Sequence, residues 1–186
     1  MIDSSHWSME RAAGLFLVLV AVATLPGFLM FWLRRGHRGG APRSRTHFIV
    51  ERSSLLSGAV LAAIGFVLLA GALPDAGRIL AVVGATAYLF GAVLLVAAEA
   101  LGPTIGYEKL YPIIIVYVVM AFLAQAAIGG ALLQSGVVTG WIGWLVIIWN
   151  IAWLIVLPIV SRRDLYYPIL HYLMPLVIGI ALLRNV

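Results

Sequence analysis

The stretch LYPIIIVYVVMAFLAQAAIGGALLQSGVVTGWIGWLVIIWNIAWLIVLPIVS, Leu110 to Ser161, decides the fold: its 52 residues include no Asp, Glu, Lys or Arg. A bilayer core ~30 Å thick is crossed by ~20 helical residues. The run is too long for one crossing and suits two. Gln134, Ser135 and Gly136, followed by Thr139 and Gly140, break it near the middle with turn-forming residues. The expectation is a helical hairpin, with helices at about 110–133 and 141–160.

The remaining charge gaps give four more spans. Uncharged runs of 22 residues separate Arg11 from Arg34 and Arg52 from Asp75, and runs of 20 and 19 separate Arg78 from Glu99 and Asp164 from Arg184. The expected fold is an all-α polytopic membrane helix bundle, with six transmembrane helices at about 12–33, 54–73, 78–100, 110–133, 141–160 and 166–183. Residues 1–186 read as a single transmembrane domain. The first span lacks a preceding basic region: Asp3, Glu10 and a single Arg stand before it. It is read as a retained helix and not a cleaved signal peptide.

Composition agrees. The chain is 63% hydrophobic and 10% charged, with mean hydropathy +1.09, whereas soluble domains carry ~25% charged residues. The net charge of +5 is borne by residues flanking apolar runs, which indicates anionic headgroups and membrane orientation, not nucleic acid. The absence of cysteine excludes disulfides, thiolate ligands and cysteine nucleophiles.

Residues 34–52, RRGHRGGAPRSRTHFIVER, form the expected basic cytoplasmic loop. Its Arg34, Arg35, Arg38, Arg43 and Arg45 are the candidate contacts for anionic lipid headgroups. With six spans, nine basic residues fall on the side of this loop (Arg34, Arg35, Arg38, Arg43, Arg45, Arg52, Lys109, Arg162, Arg163) and three on the other (Arg11, Arg78, Arg184). Basic residues concentrate in cytoplasmic loops, so both termini are expected outside the cytoplasm.

Small residues Gly58, Ala62 and Gly65 in the second span, and Gly84, Ala87 and Gly91 in the third, lie three or four apart. In lipid such faces allow close backbone approach. They predict a tight pair of second and third helices, with a homo-oligomer interface as the alternative. Glu51-Arg52 and Glu108-Lys109 precede the second and fourth spans, a faint likeness between the two central hairpins.

No nucleophile elbow, HExxH helix, phosphate loop or dinucleotide fingerprint occurs. No cofactor and no metal site is expected, and His47 and His171 share only a side of the membrane. Two polar groupings are the candidate sites. Gln125 and Asn150 lie equally far from the middle of the central turn and would share one depth, as interhelical glue or the lining of a path. At the cytoplasmic rim, Glu99 is expected to face protein, because an ionised carboxylate against acyl chains is costly. Its expected companions are His171, Lys109, Arg162 and a tyrosine hydroxyl among Tyr107, Tyr111 and Tyr167.

From Glu108 onward, FLAQAAIGGALLQSGVVTGWIGW and WNIAWLIVLPIVSRRDLYYPILHYLMPLVIGIALL resemble small multi-pass bacterial membrane proteins of unknown function. The resemblance implies a bundle of about six helices in a bacterial inner membrane and carries no catalytic residue. Three function classes follow: a structural, accessory or lipid-interacting membrane protein; a small-molecule transporter or channel subunit; and a membrane enzyme acting on a lipid or quinone. The first is favoured, because ionisable groups at mid-membrane and catalytic motifs are both missing from the sequence.

Overall fold

The computed structural model describes residues 8–35, 44–160 and 168–185. Over these the chain forms six helices and no strand: α1 Met9–Arg35, α2 Arg45–Ala72, α3 Asp75–Ile105, α4 Tyr107–Ser135, α5 Gly140–Val160 and α6 Pro168–Asn185. In lipid, backbone groups must be satisfied within the segment, and the helix does this. The first five are long and apolar enough to span a membrane, and the apolar part of α6 is the shorter Leu170–Arg184. The chain is a multi-pass integral membrane protein with an all-helical bundle. Short links reverse the direction at Leu73-Pro74, at Gly106 and at residues 136–139. Trp141 and Trp144 are exposed at the start of α5, and Trp32 near the end of α1, the levels where aromatic belts meet headgroups.

Several boundaries differ from expectation. α2 starts at Arg45, inside the expected 34–52 loop, because the helix breakers of the sequence end at Pro42. Ser44 then caps it, its Oγ accepting from His47 N at 3.2 Å. α3 passes through Gly102-Pro103 to Ile105. A proline so near the C-terminus removes only one late hydrogen bond. Gly106, at φ +95°, ends α3 and opens α4, a backbone conformation that favours glycine. These extensions make α2, α3 and α4 28, 31 and 29 residues long, or ~42–46 Å at ~1.5 Å per residue. All exceed the ~30 Å hydrocarbon thickness.

Each helix packs on its sequence neighbours, and α6 returns to α1 while also touching α2 and α4. Glycines close most of these seams. A Cβ on Gly179 of α6 would lie 2.7 Å from Gly14 O of α1, and one on Gly143 of α5 2.8 Å from Gly129 O of α4. The small faces of α2 and α3 behave differently from the expected tight pair. Gly58 and Gly65 of α2 turn to Thr24 and Leu17 of α1, while Gly84 and Gly91 of α3 turn to Ala124 and Tyr117 of α4. Small residues mark a face that can approach a backbone; they do not name the helix that takes it. The α2/α3 seam is left with a groove of about 490 Å³, floored by Ala63 and Ala92 and walled by Val60, Val67 and Val96.

Candidate functional site

Two polar clusters are set into this bundle, one near the end where α2 begins and one inside. In the first, Glu99 of α3 is buried and forms an ion pair with Arg52 of α2. Arg52 also lies over the Tyr107 ring, 4.6 Å from its centroid, and 5.3 Å from that of Phe48. Phe48 and Tyr107 meet edge to face at 5.7 Å. Phe48 precedes Arg52 by one helical turn, so the earlier start of α2 places both on one face. Arg52 lies 20 residues from the α2 end at Ala72, and Glu99 lies 24 residues from the α3 start at Asp75. They stand ~30 and ~36 Å from the far end of the bundle, at the level of a headgroup layer. A guanidinium between a carboxylate and two aromatic rings retains both charge pairing and apolar contact there.

The expected companions of Glu99 divide. Tyr107 belongs to the cluster. Lys109 is exposed in the first turn of α4, and Tyr111, one turn on, is half-buried. Arg162 and Tyr167 lie outside the described residues. His171 is elsewhere: it is buried in the interior and its Nε2 meets Tyr117 Oη at 2.8 Å. The expected Glu99–His171 pairing is therefore replaced by Glu99–Arg52 and His171–Tyr117. The error was one of depth. The second and fourth helices start earlier than expected, and α6 enters the bundle well inside their ends.

The interior cluster has a defined proton arrangement. Tyr172 Oη donates to Leu55 O at 2.8 Å, which uses its single proton. Tyr117 Oη, 3.1 Å away, must then donate to Tyr172. With its own proton used, Tyr117 can only accept from His171, so His171 carries its proton on Nε2. The chain runs His171 to Tyr117 to Tyr172 to the α2 backbone and links α6, α4 and α2. Its free end is the Nδ1 lone pair, buried and without a hydrogen-bond partner. Phe122 and Tyr88 also flank the imidazole, with centroids 5.9 and 6.4 Å away. Trp149 Nε1 donates to Leu170 O at 2.8 Å and holds α5 against the start of α6.

Gln125 and Asn150 are both fully buried. Gln125 is 10 residues from the α4 end at Ser135, and Asn150 is 10 from the α5 start at Gly140, which puts each ~15 Å from that end. They make no direct hydrogen bond. Asn150 Nδ2 instead donates to Val146 O of its own helix at 2.7 Å, and neither amide atom of Gln125 has a partner. A carbonyl four residues back on the same helix competes with a partner on another helix for a short amide side chain. Gln125 sits in the middle of the buried face Ile114, Val118, Ala121, Ile128 and Leu132.

Of the headgroup candidates, Arg45 is exposed at the first residue of α2 and Arg34 and Arg35 end α1. Arg38 and Arg43 lie outside the described residues. Sequence reasoning passed over Arg52, Phe48, Tyr88, Tyr117 and Tyr172. The signal for the first two was Phe48 and Arg52 at i, i+4. For the tyrosines it was a hydroxyl placed mid-span, where an apolar residue would cost less. Comparison with known proteins finds no family model, no curated protein and no solved structure that matches this chain.

Proposed function

We propose that this is a lipid-interacting membrane protein that holds an anionic phospholipid at the α2/α3 seam. The observation that carries the reading is the groove itself, lined from Val60 to Ala100 by apolar side chains. Within a bilayer such a surface is covered by acyl chains, and a concave one holds a chain more fully than a smooth helix face. Ala100 adjoins Glu99 in sequence, so one end of the groove approaches the Arg52 cluster, with Arg45 two turns further along α2. A chain in the groove would bring a phosphate to the level of these arginines. The same reading puts the arginine-rich end in the cytoplasm, both termini outside it, and the protein in a bacterial inner membrane.

Native mass spectrometry of protein released from vesicles of phosphatidylglycerol and phosphatidylcholine tests this. The expected result is retained phosphatidylglycerol, lost in Ala63→Phe/Ala92→Phe and reduced in Arg45→Gln. Equal retention of both lipids by all three proteins would overturn the reading.

A further inference from the structure

The interior holds more unpartnered polar atoms than one stray side chain explains. Both amide atoms of Gln125 on α4, Asn150 Oδ1 on α5 and His171 Nδ1 on α6 are buried and lack a hydrogen-bond partner, and Tyr88 Oη on α3, beside Tyr117, has none within 3.5 Å. These four residues have 0% exposed surface. The glycine contacts set their relative depth. Gly91 of α3 is level with Tyr117 and Met120 of α4, and Gly84 with Ala124 and Ile128. Tyr88 falls between these levels, so it stands between the His171–Tyr117 pair and Gln125. Asn150 shares the level of Gln125, because Gly129 of α4 meets Gly143 and Ile147 of α5. The four residues thus occupy successive depths of the bundle interior, a polar column in depth that runs ~12 Å from Tyr117 to Gln125 at ~1.5 Å per residue.

We infer that this column is an internal hydration site, in which ordered water bridges Tyr88 to His171 and Gln125 to Asn150. The donor and acceptor inventory selects the guest. Tyr88 offers an O–H, and the proton arrangement makes His171 Nδ1 an acceptor. Gln125 offers two N–H groups and a carbonyl, and Asn150 a carbonyl. A guest joining a donor to an acceptor must itself accept and donate, and water does both with two to four partners. The set mixes donors on Tyr88 and Gln125 with acceptors on His171, Gln125 and Asn150, so a guest that both donates and accepts satisfies it, whereas an ion would satisfy only one kind.

Among the described residues, apolar packing flanks the column at both ends. Ala98, Leu110 and Ile114 form a separate cluster on the side of the Arg52–Glu99 pair, and Ile128, Leu132 and Val146 are buried on the other side. Such flanking suits a bound water better than a continuous file across the membrane.

The sequence contains two glutamines, which makes the test direct. Gln125 is buried, and Gln134 is exposed at the end of α4. In protein labelled with ¹⁵N at glutamine side chains and held in bicelles, cross-relaxation from water is measured at both amide groups, with Gln125→Leu assigning the peaks. A water cross-peak at the Gln125 amide with the sign of a long-lived complex is expected, weakened at least two-fold by Asn150→Leu. No cross-peak at Gln125 while Gln134 shows one would overturn the inference. So would a Gln125 amide that exchanges as fast as Gln134, which indicates open access in place of a bound molecule.

Discussion

Replacing Tyr117 by Phe removes one oxygen from the middle of a directed hydrogen-bond chain and keeps the ring that packs against His171. Tyr117 Oη lies 2.8 Å from His171 Nε2 and 3.1 Å from Tyr172 Oη. Side-chain hydrogen bonds between membrane helices contribute ~0.6 kcal/mol on average and up to ~1.7. Two such bonds give ~1–3 kcal/mol, and the Nε2–H left facing an apolar ring moves the value to the upper part of that range. For a chain of this length that is ~3–10 °C in melting temperature, at ~2–4 °C per kcal/mol. Tyr172→Phe also breaks two links, to Tyr117 and to Leu55 O. The two single variants share one bond, so the double variant should be less destabilised than their sum by ~0.6–1.7 kcal/mol. The assay is unfolding of purified protein in mild detergent, by heat or by titration with a denaturing detergent. Strict additivity would refute the shared bond. Imidazole ¹⁵N spectra give a second check: His171 should carry its proton on Nε2 in the wild type, and a proton found on Nδ1 would refute the direction of the chain.

Three further outcomes are expected. Arg52→Met withdraws the guanidinium from a carboxylate that is 3% exposed and should destabilise by ~1–3 kcal/mol, less than the ~3–5 of a fully buried pair because Arg52 retains some access to solvent; Arg52→Met/Glu99→Gln should recover most of the loss in the same unfolding assay. Gly84→Ala places a Cβ 2.7 Å from Ala124 O of the facing backbone and should lower the melting temperature, whereas Gly140→Ala, whose nearest neighbour would be 3.9 Å away, should leave it within ~2 °C, since unhindered substitutions stay near ±0.5 kcal/mol. Gly136→Ala puts a side chain at φ +65° and should cost ~1–2 kcal/mol, measured as a shift in the denaturation midpoint with unchanged slope.

What could be read along the chain was depth. Hydrocarbon penalises ionised side chains over a fixed thickness, so the gaps between charges located every helix from one-dimensional information. The equal depth of Gln125 and Asn150 and the turn ending α4 at Gly136 were legible on the same basis. Helix ends were less so. Gly102-Pro103 and the Gly/Pro-rich loop were read as terminating signals, yet α3 tolerates its proline in the last turns, and Ser44 supplies a cap eight residues before Arg52 reaches Glu99. What only the tertiary structure decided was azimuth. Each apolar helix can present several faces, and hydropathy is nearly the same around all of them, so it cannot say which face meets which neighbour. Packing made that choice through glycine contacts, which turned the small faces of α2 and α3 away from each other and opened the groove between them. The same choice gave Glu99 to Arg52, whereas His171 was misplaced in depth: α6 begins well inside the starts of α2 and α4, which puts the imidazole beside Tyr117. A residue's position along its own helix follows from its place in the chain; how far that helix slides and rotates against its neighbours decides its partner, and the chain settles this only when all six helices close on one another.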